Sequence, residues 1–197
     1  MNTRNDLFED KLELRHPRAT DGFHLNQLVA ASPPLDTNSV YCNLLQCQHF
    51  ADTSVAAVID GRIVGFISGY LVPSDPETLF IWQVVVDAKF RGHGLAKRML
   101  NWLVAQSSTE NARHLITTIT PDNKASWMLF EGLARDWQAL VSKDVFFERE
   151  RHFANQHDDE YLLRVSPLPN RPQESFDRTY SDLRSSLRLP PGRRWLD

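Results

Sequence analysis

The chain has 197 residues, 42% of them hydrophobic and 24% charged, a composition typical of one globular domain and not of a disordered chain. Its formal net charge of −3 is weak and not strongly patterned, so nucleic acid is not expected as a partner. The two cysteines, Cys42 and Cys47, form neither a zinc-binding array nor a disulfide framework, and no apolar run reaches the roughly 18 residues of a membrane span. These features predict a cytoplasmic protein without membrane contact.

The first half of the sequence predicts a strand, two helices and a β-hairpin, in that order. Apolar residues alternate at 11–16, which indicates a strand, and recur at helical spacing at 21–31. A second helix follows, with a polar start at Asp36. Asp60-Gly61 then separates two β-branched runs and is a strong signal for a hairpin turn. The predicted strands of this hairpin are residues 53–59 and 62–72.

The second half predicts four more strands and two more helices. The elements are a strand at 78–86 after a loop at 72–77, a helix at about 91–107, a strand at 113–120, a helix that begins near Asn123, and strands at 137–141 and 160–165. Residues 143–159 are aromatic and charged without a clear period, and no element is assigned to them. The order of elements indicates an α/β fold. Its sheet is predicted to be mixed, with parallel and antiparallel pairs as in α+β proteins, and to have about seven strands flanked by helices.

The predicted domain occupies residues 11–165, between a flexible N-terminal arm at 1–10 and a C-terminal segment of different composition. Residues 166–197 are rich in Pro, Ser and Arg and contain few aliphatic side chains, so they bury too little apolar surface to order themselves. A flexible tail is the first interpretation of this segment. An arm that binds a partner is the alternative.

The turn between the strand at 78–86 and the following helix is the first candidate site. A turn of this kind leaves the first N–H groups of the helix open at the positive end of the helix dipole, where a phosphate binds well. Gly92 and Gly94 have no Cβ, so a pyrophosphate can approach the main chain closely. An ordinary strand-to-helix connection is the alternative. The residues of the turn are Arg91, Gly92, His93, Gly94, Leu95 and Ala96.

The pattern Arg91-x-x-Gly94-x-Ala96 follows a strand that ends in Val84, Val85 and Val86, and this combination resembles the acetyl-coenzyme A motif of the GNAT superfamily of N-acetyltransferases. The resemblance implies the GNAT fold and acetyl-coenzyme A as cosubstrate. It also implies that the strand separates from its neighbour at these three valines. Their backbone N–H groups are then expected to bond the pantetheine arm and the acetyl oxygen.

Two positions in the next helix bear on the same motif. The resemblance places Asn123 and Ser126 where GNAT relatives bind the pantetheine arm, although Asn123 is equally explained as a helix cap. Many relatives have a tyrosine seven residues after that asparagine, which protonates the departing thiolate. This chain has Phe130 there, so another group, water or unaided departure of the thiolate must replace it.

Acetyl transfer also requires a deprotonated amine. A side-chain amine with a pKa of about 10.4 is almost entirely protonated at pH 7, so a base or a desolvated pocket is needed. Each candidate base has the alternative interpretation of a solvated surface residue. The candidates are Asp36, Asp122, His152, His157, Asp158, Asp159 and Glu160.

Three blocks of sequence, at residues 34–45, 80–84 and 157–162, resemble blocks of the diaminobutyrate acetyltransferases of ectoine synthesis. Together with the glycine turn they cover about residues 11–165. The most specific part is Asp-Thr-Asn-Ser-x-Tyr at residues 36–41, because it lies where GNAT relatives bind the acceptor. The resemblance implies acetylation of the side-chain (γ) amine of L-2,4-diaminobutyrate, which gives the precursor of the osmolyte ectoine.

The residues of these blocks suit a small diamine. Asp36 and Glu160 can hold its two ammonium groups, and Trp82 and Tyr41 offer an apolar or cation–π surface, although a strand tryptophan is often a core residue. Asp36, Glu160 and Trp82 are the candidate catalytic residues. The candidate acceptor-binding residues are Asp36, Thr37, Asn38, Ser39, Tyr41, Trp82, Gln83, His157 and Glu160. No metal site is expected, because the histidines lack a matching ligand set.

Two other functions remain open. The same fold can act on another amine, such as a polyamine, an aminoglycoside or a protein lysine, or it can bind coenzyme A without catalysis, which Phe130 alone favours. Assembly is a separate prediction: aromatic residues among charges at 143–159 indicate a homodimer that uses this segment or the last strands.

Overall fold

The computed structural model describes residues 11–33 and 35–169, and the strands of this part of the chain form one seven-stranded sheet. The predicted arm at 1–10 and the tail beyond residue 169 lie outside the described residues. The strands are β1 (Glu13–Arg15), β2 (Val55–Ile59), β3 (Arg62–Val72), β4 (Asp75–Val86), β5 (His114–Ile119), β6 (Leu140–Phe147) and β7 (Glu160–Ser166). The α-helices are α1 (Gly22–Ala30), α2 (Val40–Gln48), α3 (Leu95–Val104), α4 (Lys124–Trp137) and α5 (Arg149–Phe153).

The sheet is mixed, with the strand order β1-β2-β3-β4-β5-β7-β6. β4 and β5 pair in parallel, and the other neighbouring strands pair antiparallel. The parallel pair needs a crossover connection, which α3 provides. The predicted α/β fold with a seven-stranded mixed sheet and flanking helices is confirmed.

Helices cover both faces of the sheet. Leu95, Met99 and Leu103 recur along α3 at helical spacing and pack with α4 in the larger core cluster. On the opposite face, Leu25 and Val29 of α1 pack with residues of α2 and of strands β2 to β4. The centre of the sheet is therefore buried on both sides.

The hairpin prediction at Asp60-Gly61 is confirmed in detail. Asp60 and Gly61 both have positive φ, 48° and 75°, as a two-residue hairpin turn with the twist of the flanking strands requires. β3 and β4 form a second hairpin, in which Val72 pairs with Asp75. β4 therefore begins before the predicted residue 78, because this tight turn replaces the predicted loop.

Several boundaries predicted for the second half were wrong. The helix after the glycine turn begins at Leu95 and not at 91, because Gly94 at φ 73° serves as its N-cap. α4 continues to Trp137, so the predicted strand at 137–141 is replaced by β6 at Leu140–Phe147. Gln138 at φ 55° ends α4 and turns the chain into β6. The segment without a predicted element contains most of β6 and the short helix α5.

The start of the predicted tail is still packed on the sheet. Ser166 is the last residue of β7, and the Leu168 backbone N–H donates to the Arg113 carbonyl oxygen at 2.9 Å. Leu168 is buried in the larger core cluster. Among the described residues, no helix has the length and apolar character to cross a membrane, and no cluster of three or more potential ligand side chains could hold a metal ion.

Candidate active site

The site begins where β4 and β5 separate. Their pairing runs from Thr78 and His114 to Ile81 and Thr117 and ends there, whereas β4 stays paired with β3 as far as Val86. Among the described strands, the last part of β4 thus has one partner, and a wedge opens between it and the end of β5. The predicted separation of the strand at Val84, Val85 and Val86 lies in this wedge.

A β-bulge explains the separation. On β3, Ser68 and Gly69 are consecutive, but their partners on β4 are Gln83 and Ile81, so Trp82 is the extra residue. A bulge bends its strand and shifts the alternation of side chains. Ile81 and Val84 accordingly face the same core cluster, although a regular strand would place residues three apart on opposite faces.

The glycine turn lies at the open end of the wedge. Gly92 and Gly94 have φ values of 79° and 73°, and a Cβ built on either glycine would meet no atom within 4 Å. The Arg91 Nε donates to the Val86 carbonyl oxygen at 3.0 Å, and His93 contacts the Arg91 carbonyl through Nδ1 at 2.9 Å. The turn is therefore fixed to the end of β4, with open space over its backbone. This arrangement fits a pyrophosphate held by main-chain N–H groups.

Replacing Gly94 by valine should weaken acetyl-coenzyme A binding at least tenfold, which corresponds to about 1.4 kcal/mol. A β-branched side chain enters the open space and is strained at positive φ. Gly61→Val is the matched control for strain, because Gly61 has φ 75°, equally open surroundings and a place in the β2–β3 turn. Titration calorimetry should show lost affinity in Gly94→Val and retained affinity in Gly61→Val. Equal affinities in the two variants would contradict the assignment.

The two predicted pantetheine residues lie at the start of α4. The Asn123 side chain accepts from the Ser126 backbone N–H at 3.1 Å, so Asn123 caps the helix. Capping uses one lone pair of the side-chain oxygen and leaves its amide group available. Phe130 is only 2% exposed and packs in the larger core cluster, so this position faces the protein interior.

The predicted acceptor-binding residues 36–39 lie in the segment between α1 and α2. The predicted helix start at Asp36 was wrong: α2 begins at Val40, and Ser39 is its N-cap, accepting from the Cys42 backbone N–H at 3.1 Å. Asp36 lies in irregular chain ahead of the cap, and its side chain is exposed. Because Ser39 performs the capping, a capping role does not account for Asp36.

Glu160, the first residue of β7, is brought to the wedge from the opposite side. Burial raises the pKa of its carboxyl group, and the charge of Asp36 raises it further, while His157 and a hydrogen bond from Thr118 lower it. Thr118 follows the last β5 residue that pairs with β4. One carboxylate oxygen of Glu160 is buried without a hydrogen-bond partner among the described residues. Asp36 and His157 are thus near enough for their charges to act on Glu160 at the open end of the sheet.

The predicted aromatic residues of the acceptor site are exposed. Trp82 is 46% exposed at the bulge, so the core interpretation of this residue was wrong. Its ring lies edge-on to Phe50, with ring centroids 6.5 Å apart, and Phe50 in turn contacts Tyr70. Tyr41 is also exposed, on the first turn of α2. The exposed faces of these rings can line a pocket for an apolar or cationic group.

The other candidate bases have local roles. His152 Nδ1 accepts from the Glu148 backbone N–H at 2.9 Å, and Asp158 forms an ion pair with Arg149 at 3.0 Å. Asp159 accepts from the Arg149 backbone N–H. These bonds hold the loop between α5 and β7. Asp122 is exposed in the turn ahead of α4.

Sequence reasoning missed two polar residues that strand pairing places next to predicted site residues. Thr118 contacts Glu160, and Ser68 is the register partner of Gln83. The Ser68 hydroxyl and the Gln83 Oε1 are both buried without a partner among the described residues. Gln83 was a predicted acceptor-binding residue, and it lies directly after the bulge. Ser68 and Thr118 carried no motif, and only strand pairing brings them here.

The family and the relatives that this chain matches are all acetyltransferases. Residues 24–134 match the family described as Acetyltransferase (GNAT) family. An L-2,4-diaminobutyric acid acetyltransferase from Methylotuvimicrobium alcaliphilum is 49% identical over 157 residues, which span 80% of this chain and 91% of that protein. One from Bordetella parapertussis is 46% identical over 163 residues, which span 82% and 88% of the two chains.

One solved structure has a similar fold, and the match covers nearly the whole of that structure. It is the diaminobutyrate acetyltransferase EctA from Paenibacillus lautus in complex with its substrate L-2,4-diaminobutyric acid and coenzyme A. The TM-score is 0.77 at 37% sequence identity, and the match covers 83% of this chain and 99% of that one.

Proposed function

This chain belongs to the GNAT acetyltransferase family, among the L-2,4-diaminobutyric acid acetyltransferases, and on that premise we propose that it transfers the acetyl group of acetyl-coenzyme A to the side-chain amine of L-2,4-diaminobutyrate. The product is N-γ-acetyldiaminobutyrate, the precursor of ectoine. The observation that carries the proposal is the half-buried Glu160 carboxyl at the open end of the β4–β5 wedge, which the charge of Asp36 reaches. Two carboxyl groups in one opening suit the two amines of the substrate.

The proton of the reacting amine goes to Glu160. A carboxyl group with a raised pKa is a better base for an ammonium group than an ordinary one, because the difference between the two pKa values is smaller. Removal of this first proton frees the nitrogen lone pair, which attacks the acyl carbon, so that the C–N bond forms while the acyl C–S bond breaks and the electron pair of that bond leaves with the sulfur as the thiolate. The nitrogen then gives its second proton to water, and the products are the neutral amide and coenzyme A. The Thr118 hydrogen bond holds the Glu160 carboxyl in place for this step.

Asp36 binds the other ammonium group. Removing an ammonium group from water costs several kcal/mol unless a carboxylate meets it, so Asp36 favours diamines over monoamines. Thr37, Asn38 and Ser39 supply polar groups for the carboxylate end of the substrate, and Trp82 and Tyr41 cover its methylene groups. Fixing the α-amine and carboxylate leaves only the γ-amine within reach of Glu160.

Acetyl-coenzyme A, when bound, supplies the thioester. The glycine turn at 91–96 would hold its pyrophosphate, and Asn123 and Ser126 its pantetheine arm. The backbone N–H groups of Val84 to Val86 would meet the acetyl oxygen. Phe130 supplies no proton, but a thiol with a pKa of about 8.5 departs as the thiolate near neutral pH without an acid.

A thiol-release assay tests the proposed function. With acetyl-coenzyme A present, kcat/KM for L-2,4-diaminobutyrate should exceed the values for ornithine, lysine and spermidine by at least about tenfold, because one methylene or a lost polar contact is worth that much. A higher value for another amine would move the activity to that substrate. Coenzyme A binding without thiol release from any amine would favour a non-catalytic binding protein.

We also propose a cytoplasmic location, which agrees with the free Cys42 and Cys47.

We further propose that the protein is a homodimer whose interface uses β6. β6 lies at the edge of the sheet that the described strands form, and its Leu140, Val141 and Phe147 are exposed. An apolar edge of this kind favours pairing with a second copy. Light scattering at micromolar concentration should give twice the chain mass of 22.7 kDa. A particle of the single-chain mass would contradict the dimer.

A further inference from the structure

Three side-chain amides form a chain of hydrogen bonds between α1 and α2. The Asn26 Nδ2 on α1 donates to the Asn38 carbonyl oxygen at 2.7 Å and to the Asn43 Oδ1 at 2.9 Å. The Asn43 Nδ2 then donates to the Gln46 Oε1 at 2.9 Å. Asn43 and Gln46 on α2 are completely buried.

One end of this amide chain holds the segment at residues 36–39, which we call the acceptor segment. The segment is irregular, and its Asp36, Thr37 and Ser39 side chains are exposed. Asn26 bonds its main chain at Asn38, so the bond fixes the path of the segment whatever side chain stands at 38. Asp36 lies two residues from this point, so movement at Asn38 would shift its carboxylate.

α1 is a firm support for this contact. Leu25 and Val29 flank Asn26 along the helix, and both are completely buried in the core on that face of the sheet. Ser39, at the other end of the acceptor segment, is fixed to α2 as its N-cap. The segment is thus attached to one helix by its last residue and to the other by its third.

Stability alone does not account for the amides. The Gln46 Nε2 is buried without a hydrogen-bond partner among the described residues, and such a donor costs about 1–3 kcal/mol. Apolar side chains of similar size at 43 and 46 would remove that cost. The amides have a geometric consequence instead, because the Asn43 oxygen directs the Asn26 amide group toward Asn38.

We propose that Asn26 is a positioning residue for the acceptor site: oriented by Asn43 and Gln46, it holds the acceptor segment so that Asp36 meets the diamine. The inference rests on the proposed function, since it assigns the effect to diaminobutyrate binding. Because Asn26 acts through the acceptor segment, replacing it is expected to raise the KM for the diamine and to leave coenzyme A binding unchanged.

The test uses Asn26→Asp and Asn26→Ala in the full-length protein. Both variants lose the two donated hydrogen bonds. Asn26→Asp keeps the size of the side chain, and Asn26→Ala adds no charge. We expect each to raise the KM for diaminobutyrate about 5- to 50-fold, since small displacements of binding groups have effects of this size. The kcat should stay within about threefold and the KM for acetyl-coenzyme A within about twofold of the wild-type values, a split that a general loss of structure would not give.

Gln27→Glu is the matched control. It removes an amide donor and adds a negative charge at the exposed neighbouring position on α1, and it should leave both KM values unchanged. The double variant Asn43→Leu/Gln46→Leu separates positioning from stability, because it should raise the KM for diaminobutyrate without lowering the melting temperature. A wild-type KM for diaminobutyrate in both Asn26 variants, or equal rises in both KM values, would overturn the inference. Absence of turnover in the wild type would instead overturn the proposed function.

Discussion

Glu160→Gln should lower kcat/KM for diaminobutyrate by about 100- to 1,000-fold, because a general base contributes rate factors of this order. Glutamine has nearly the same shape and still accepts the Thr118 hydrogen bond, but it cannot take the proton of the ammonium group. Burial disfavours the ionised carboxyl, which is why its pKa is raised, so removing the charge should leave the melting temperature unchanged or slightly higher. Acetyl-coenzyme A affinity should also be unchanged.

The pH profile gives a second readout of the same residue. Because the pKa of Glu160 is raised, its carboxyl takes up a proton at a higher pH than an ordinary glutamate, whose pKa is about 4.3. Activity should therefore fall on acidification already above that pH, and Glu160→Gln should lack this part of the profile. Wild-type kcat/KM in the variant, or an unchanged acid limb, would exclude Glu160 as the base.

Asp36→Asn should lower kcat/KM for diaminobutyrate by ten- to a thousandfold, about 1.4 to 4 kcal/mol of transition-state stabilisation. Asparagine keeps the size and one oxygen but loses the charge that meets the ammonium group. Since Ser39 caps α2, the melting temperature should stay at the wild-type value. The charge of Asp36 is one cause of the raised pKa of Glu160, so the acid limb should also move to lower pH.

Asp60→Asn is the control for this prediction. It removes the same charge in the β2–β3 turn, where asparagine tolerates the positive φ of 48°, and its kinetics should match the wild type. Equal kcat/KM values for Asp36→Asn and the control would contradict the assignment of Asp36. The ammonium-binding role would then pass to Glu160.

Local features of the fold were predictable, and features set by tertiary structure were not. Asp60-Gly61 specifies its turn because these two residues tolerate positive φ more readily than most. By contrast, α4 ends at Gln138, a residue with no stop signal, in a left-handed conformation. The bulge at Trp82 was equally unpredictable from the sequence, because an extra residue is defined only by comparison with the partner strand.

The same distinction applies to the site. The glycine turn is a continuous motif, and its position at the end of β4 follows from the sequence. The proximity of Asp36 and Glu160 depends on the strand order, in which β7 lies between β5 and β6. The spacing of apolar residues along the sequence does not predict this strand order. The resemblance to diaminobutyrate acetyltransferases singled out both residues, whereas Thr118, which only strand pairing brings to Glu160, went unnoticed.

The placement of β7 has a consequence for synthesis of the protein. β7 comes last in the described chain but pairs with β5 on one side and β6 on the other, so β6 joins the sheet only through it. A nascent chain that stops before residue 160 has unpaired edges on both β5 and β6, which favours aggregation. Glu160 arrives with this final strand. Enzymatic activity should therefore appear only after the sheet is complete, and truncated chains should be both inactive and insoluble.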